Sequence, residues 1–452
     1  MEDLWKCTFR YTTNLELEGE RNEKKMAELR KMWAVVVGYG NRGQVYADYA
    51  LQEPEEFGIA AIVDPNEFKL QEAKVRYGLT DDRLFQDFDA FAKSGIACDF
   101  VINATMDQLH YETAMQILNA GYDMLMEKPI VANARELKEI EQLAKEKEAM
   151  VFVCHVLRYT PFYRKIKELL NAGAIGVVET MEMNEHVCLS HFVSSYVRGK
   201  WNSEKECGSG FILAKSCHDM DLMCWLNNAS APEKVASFGH RAKFIPENAP
   251  EGAAEFCYQC EHEKTCPYSA IDQYIDKDVA PFLVWDRLNK PLDEISMEEK
   301  QEFIKHDIYG KCVYTCGGDI VDRQNAIVTF ANGSVATFNL VGGTMKPGRY
   351  LHIVGNLGEI EGLLEDDKFI LRTYDKNERF GKVEEIEVHP INKAKFGGHS
   401  GGDYMIMYDL IRYLNGDKSS VSITSIEDSV NGHMCIFSAE ESRKTGNVVS
   451  IE

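Results

Sequence analysis

After residue 32 the chain alternates short apolar runs with stretches of helical period. Trp33 to Val37, Ile59 to Val63, Phe100 to Ala104, Tyr122 to Met126 and Met150 to Cys154 are each five residues long and largely apolar, the pattern of a strand buried on both faces. Between them Val45, Tyr46, Tyr49 and Ala50 recur at helical spacing, Phe68–Tyr77 reads as a helix stopped by Gly78, another helix runs through Leu118 to Gly121, and a charged helix spans Ala134–Lys147. Strands alternating with helices predict a parallel sheet with crossovers. Ligands of such sheets bind beyond the carboxyl ends of the strands.

From about residue 175 the period changes from helical to two. Val177 to Val187 alternates, with Met181, Met183 and Val187 on one face and Glu182, Asn184 and His186 on the other. Ile327–Leu340 carries a hairpin turning at Asn332-Gly333, and an Asn-Gly pair between alternating strands is a strong hairpin signal. Leu351–Val354 and Glu359–Leu364 add strands. The second half is therefore expected to hold a mostly antiparallel sheet. A charge-rich, irregular piece, roughly 232–318, interrupts it and holds five cysteines. Helices over Tyr404–Leu414 and Glu427–Lys444 are expected to return to the body, and Leu15–Arg30 reads as a charged surface helix in an extension of residues 1–31.

The first strand ends on chemistry. Gly38-Tyr39-Gly40-Asn41-Arg42-Gly43 fits G-x-G-x-x-G between a strand and a helix, and the next strand closes on Asp64. Glycines at this spacing permit the tight turn, a close backbone approach to a pyrophosphate, and close helix–strand packing, while the helix start favours an anion. A carboxylate at the position of Asp64 accepts hydrogen bonds from ribose hydroxyls and repels a 2′-phosphate, so NAD is favoured over NADP. The plain alternative for Asp64-Pro65 is a solvated turn.

Composition narrows the classes. With 452 residues, 45% hydrophobic and 27% charged, the chain is long enough for two or three domains with large cores. A formal net charge of −22 disfavours nucleic acid or an anionic membrane surface as partner. Apolar runs fall short of the roughly 20 residues of a membrane span. Without a secretory signal the chain is expected in the cytoplasm, where its thirteen cysteines are reduced thiols or metal ligands.

At Glu127-Lys128-Pro129 the reading becomes specific. GYGNRG, then Asp64, Ala104-Thr105 with His110, and EKP resemble the Gfo/Idh/MocA oxidoreductases; HVLRYTPFYRKIKELLNAGAIG (155–176), GSGFILAKSCHDMDL (208–222) and GHSGGDYMIMYDL (398–410) extend the resemblance over about 32–452. It implies a Rossmann domain, 32–155, then an α/β domain on a large, open, mostly antiparallel sheet, 156–452, with the cysteine-containing piece inserted. It also implies homodimers or homotetramers through the outer face of that sheet. The activity it implies is NAD(P)-dependent dehydrogenation of a sugar, glycoside or cyclic polyol.

The resemblance assigns cofactor contacts to Gly38, Gly40, Asn41, Arg42, Gly43, Asp64, Ala104, Thr105, His110, Glu127 and Lys128. Removing a hydride from an alcohol also needs a base for the hydroxyl proton. Lys128, at a strand end, and His218 are the candidates. The family's usual acid four positions before this histidine is replaced by Ala214, leaving His218 alone or assisted by Asp219, with Asp221 one turn on. Arg158 and Tyr159, near a strand end, Tyr196, Arg198 and Trp201 in a polar-aromatic loop, and His186 and His399 at the rim are the candidate substrate contacts. A plain packing role is open to each.

Cys257-x-x-Cys260-x5-Cys266 followed by Cys312 has a spacing suited to four-thiolate zinc. Cys316 is an alternative fourth ligand, and an iron–sulfur cluster or packed reduced thiols are the competing readings. Alongside the dehydrogenase stand two other functions: a redox-neutral NAD-dependent glycosidase working by oxidation, elimination and reduction, and a non-catalytic sugar- or NAD-sensing regulator.

Overall fold

The two periodicities build two separate sheets. In the computed structural model residues 29–227, 230–389 and 399–451 are described; the expected helix over Leu15–Arg30, apart from its last two residues, lies outside them. The first sheet comprises β1 (Met32–Val37), β2 (Phe57–Val63), β3 (Leu84–Phe85), β4 (Phe100–Asn103), β5 (Met124–Met126) and β6 (Val151–Val153). All are parallel, in the order β3-β2-β1-β4-β5-β6. Every residue of β2 is buried, as a sheet covered on both faces demands. The crossovers run through α1 (Asn41–Ala47), α2 (Glu67–Tyr77), α3 (His110–Asn119) and α4 (Ala134–Lys147). Helix α2 stops as expected at Gly78, whose φ of +65° is the left-handed conformation of a helix C-cap.

The second sheet has nine strands. Its centre is β7 (Val178–Cys188), flanked on one side by β11 (Gly348–Gly355), β12 (Gly358–Leu363), β13 (Lys368–Thr373) and β14 (Lys382–Glu387). The other side holds β10 (Val335–Thr344), β9 (Arg323–Phe330), β8 (Pro232–His240) and β15 (Val449–Ser450). Only the β7–β10 pair is parallel. Met181, Met183 and Val187 face the core while Glu182 and His186 are exposed on the other face, the alternation read from the sequence.

Across the inner face lies α6 (Phe211–Leu226), preceded in the chain by α5 (Pro161–Asn171). Nearly all of α6 is buried, because the sheet covers one side and α9 (Ile426–Thr445) another. Helix α8 (Gly402–Leu414) returns to the first sheet, its Met405, Ile406 and Leu410 joining Tyr46, Phe57 and Phe100 in one core.

One expectation needs correcting. The irregular piece does not begin at 232: Pro232–His240 is a strand of the large sheet, with Phe238 left 70% exposed on its outer face. The rest of the insertion has a core of its own. Around α7 (Pro281–Val284), Tyr274, Val284, Trp285, Ile304 and Tyr309 form a buried cluster of their own. The same segment reaches the first sheet: Lys69 pairs with Asp286 at 2.7 Å, Asn66 Nδ2 donates to Asn289 Oδ1 at 2.8 Å, and Asn41 Nδ2 donates to the Phe282 carbonyl at 3.4 Å.

Candidate active site

The turn from β1 into α1 shows what each glycine does. A Cβ on Gly38, which has a φ of +88°, would lie 2.6 Å from the Ala104 carbonyl oxygen, and one on Gly43 2.2 Å from the Gly38 oxygen. Both positions therefore exclude any side chain. A Cβ on Gly40 would meet nothing within 4 Å. Open space at this position, beside a helix start whose N-cap has no side-chain acceptor, is a cradle that fits a dinucleotide pyrophosphate. Asp64 flanks it: one carboxylate oxygen accepts from the Tyr39 N–H and the other from the Asn66 N–H, each at 2.8 Å. These two bonds fix the carboxylate and leave it lone pairs for ribose hydroxyls.

At the ends of β4 and β5 the loops are tied together. Thr105 donates its hydroxyl to Asn103 Oδ1 at 2.9 Å. His110 is buried, with Nδ1 2.6 Å from the Pro129 carbonyl and Nε2 3.0 Å from that of Thr105. Its ring thus joins two loops and has no nitrogen left for a cofactor, contrary to expectation.

Glu127 and Arg42 are tied to one another. Glu127 accepts from Arg42 Nε at 2.6 Å, from the Tyr46 hydroxyl at 2.5 Å and from the Lys128 N–H at 2.7 Å. Burial opposes its ionisation, but Arg42 and Lys128 outweigh that and hold the carboxyl below the usual range. Arg42 also reaches Asp403 at 2.7 Å, and Asp403 holds His399 Nδ1 at 3.0 Å. A continuous polar chain, His399–Asp403–Arg42–Glu127, thereby runs from α8 and the segment before it to the backbone of Lys128.

Lys128 follows β5 and precedes a cis Lys128–Pro129 bond. Its Nζ donates to the Ala214 carbonyl at 3.2 Å. Ala214 is one helical turn before His218, so the lysine of the first sheet meets the histidine of α6 at one spot. His218 is buried, 6.2 Å between ring centroids from His399 and 5.8 Å from His155. Burial, reinforced by Lys128, His155, His399 and Arg349, pushes its pKa well below that of a free histidine, leaving a neutral imidazole at neutral pH. Its Nδ1 has no hydrogen-bond partner among the described residues.

The other faces of α6 are differently engaged. Lys215 and Asp219, one turn apart, meet Glu185 and Arg349. Arg349 Nε lies 2.7 Å from Glu185 and 3.0 Å from Asp219, and Lys215 Nζ 3.4 Å from Glu185. Burial raises the Asp219 carboxyl to about 7, with Glu185 adding to the effect and Arg349 opposing it. Asp219 therefore serves this cluster and does not hydrogen-bond to His218. Asp221 is bound bidentately by Arg158 at 2.6 and 2.7 Å, both side chains fully inside. This pair occupies the buried Arg158 guanidinium, and Tyr159 is buried in the core under α8.

Three more expected contacts point elsewhere. His186 is exposed on the outer face of β7. Tyr196 is buried against Phe192 and Phe211. Arg198 is turned toward Cys257, 3.4 Å from its sulfur. Trp201 stays near the loops of the first sheet, its indole N–H donating to Asp107 at 3.0 Å.

Glu185 and Arg349 were missed in the sequence. Glu185 had a signal: it shares the parity of Met181, Met183 and Val187, so an acid was placed on an apolar face. Arg349 sits directly opposite Glu185 in the β7–β11 register, which no local pattern reveals. Among the described residues no group of three or more His, Cys, Asp or Glu side chains is arranged to hold a metal ion. The expected cysteines do surround one small cavity, lined by Cys257, Cys260, Cys266 and Cys312.

Comparison with known proteins agrees with this architecture. Residues 32–155 match the family model for an oxidoreductase NAD-binding Rossmann fold, and residues 167–451 the model for the C-terminal alpha/beta domain of the same family. The putative oxidoreductase YteT of Bacillus subtilis is 26% identical over 331 residues, 69% of this chain and 72% of that protein. The scyllo-inositol 2-dehydrogenase (NADP(+)) IolW of the same organism is 24% identical over 186 residues, 41% of this chain and 49% of its own length. A levoglucosan dehydrogenase, solved with NADH and levoglucosan, superposes with a TM-score of 0.66 at 17% identity, covering 93% of this chain and 100% of that one.

Proposed function

Because the chain belongs to the Gfo/Idh/MocA oxidoreductase family, we propose that it is an NAD-dependent dehydrogenase of a secondary hydroxyl on a sugar, glycoside or cyclic polyol. The observation that carries this reading is the meeting of Lys128 and His218, delivered from different sheets to one spot beside the glycine turn. Scyllo-inositol and levoglucosan, named for two of the similar proteins, are both hydroxylated rings and support the substrate class. The Gly40 turn and Asp64 would hold a nicotinamide dinucleotide, which would supply the hydride acceptor.

The chain's own residues do the rest. Lys128, held by the Ala214 carbonyl, has two further N–H bonds to offer a substrate oxygen. Neutral His218 can accept the hydroxyl proton, a role within the usual scope of a positioned imidazole. His399, oriented by Asp403, stands behind it as a route for the proton toward the surface. Glu127 and Arg42 keep the Lys128 backbone in place as positioning residues.

The Lys69–Asp286 and Asn66–Asn289 contacts beside Asp64 favour a second reading. An insertion fastened over the cofactor edge suits an enzyme that keeps its cofactor through oxidation, elimination and reduction, with no net redox change. Purified protein is assayed for bound NAD by absorbance and mass, then offered polyols and aryl glycosides with and without added NAD or NADP. NADH formation from a polyol or sugar supports the dehydrogenase, and glycoside cleavage without added NAD supports the second reading. Failure to bind either dinucleotide overturns both.

A further inference from the structure

The cysteine cavity of the insertion lies outside everything assigned above. Its walls come from residues 250–269 and 312–314 with Arg198, the two stretches being joined by an isolated bridge between Phe256 and Lys311 and by a 2.8 Å bond from the Cys312 N–H to the Glu255 carbonyl. Cys257, Cys260, Cys266 and Cys312 all face it.

A buried cation points the same way. Arg198 is fully inaccessible, yet no carboxylate among the described residues lies within salt-bridge distance of it. It donates to Lys311 O at 2.7 Å, Tyr268 O at 2.9 Å and Cys257 Sγ at 3.4 Å, its guanidinium lies over the Tyr274 ring, and its Nη1 has no hydrogen-bond partner among the described residues. A guanidinium buried without a counter-charge is strongly unfavourable. The groups against it that can become anionic are the Tyr274 phenol and the Cys257 thiol.

We propose that Cys257, Cys260, Cys266 and Cys312 bind one structural zinc ion as four thiolates, with Arg198 neutralising part of the charge. Four Zn–S bonds form, four thiol protons and the waters of the ion pass to solvent, and no electron moves. The resulting centre carries two negative charges, which answers the unpaired Arg198. Among the described residues the four sulfurs line one cavity without forming a ready metal-binding group, so zinc binding requires them to close around the ion. Cys316 is not a ligand: it donates to the Cys312 carbonyl at 3.1 Å and lines a neighbouring cavity. His262, which also lines the cavity, has its Nε2 2.6 Å from the Glu251 carbonyl. With four protein ligands and no open position the ion is structural.

The test uses the full chain, expressed with zinc and purified without chelators. Elemental analysis should find about one zinc per chain. Cys266→Ser and Cys312→Ser should each cut that content at least tenfold, while Cys316→Ser and Cys98→Ser keep it. Should the first two variants fail to fold, titrating the unaltered protein with an organomercurial decides: zinc should leave in a single step as about four thiols react. Protein without stoichiometric zinc overturns the proposal. So does iron with acid-labile sulfide in place of zinc, or full zinc retention by Cys266→Ser.

Discussion

Lys128 and His218 approach each other from unrelated parts of the chain, and each can be removed singly. Lys128→Met should lower turnover by about 100-fold or more, the usual scale for a lost acid–base group, with dinucleotide affinity by fluorescence titration little changed. His218→Ala should do the same, and near-normal turnover in both would sink the mechanism. Burial lowers the His218 pKa, so this base sheds its proton more readily than a free histidine. Activity that needs the neutral ring is present above that lowered value and lost only as pH falls through it. The acid limb of kcat/KM should therefore lie well below pH 6.5, and a midpoint at or above 6.5 contradicts the assignment. Arg158 behaves differently. Arg158→Met strands the buried carboxylate of Asp221, which should cost roughly 3–5 kcal/mol in denaturant unfolding. A rise in KM with no loss of stability would instead return Arg158 to the substrate.

At the scale of the element, the turn between β1 and α1 separates packing from binding. Gly43→Val forces a side chain into the Gly38 carbonyl and should lower the melting temperature by several degrees. Gly40→Val meets only open space in the protein, so the fold should survive while dinucleotide binding is lost; retained binding would mean that the cradle is elsewhere. That turn was legible in advance because a single local segment supplies strand, glycines, helix and acid. Strand β7 was legible for the same reason, its alternation being a property of eleven consecutive residues. What stayed hidden was made at a distance. Arg158, Tyr196 and Arg198 looked like substrate contacts because polar side chains near a strand end or in a loop usually face solvent, and only packing reveals that Asp221 and the cysteine cavity claim two of them. Strand β8 was hidden because Glu233, Lys234 and the exposed Phe238 blur its period.

Across the whole molecule, the insertion links the large sheet to the cofactor edge of the small one. Removing its grip with Lys69→Met and Asn289→Ala should speed cofactor dissociation, read by stopped-flow. The pairs are partly exposed, so each is worth at most about 1 kcal/mol, and the rate should rise by roughly fivefold to tenfold. No change in rate would mean that the insertion rests on the site without holding it. The place of β7 has another consequence, this time in time. Its partners β10 and β11 begin at Val335 and Gly348, while β7 itself ends at Cys188. On a ribosome working at about 5–20 residues per second, the central strand waits roughly 7–30 s for its first neighbour. Throughout that interval both of its edges are open, and Met181, Met183 and Val187 have no sheet to complete. Chaperone demand during synthesis should therefore be concentrated on this one strand, long before the active site exists to be inherited by it.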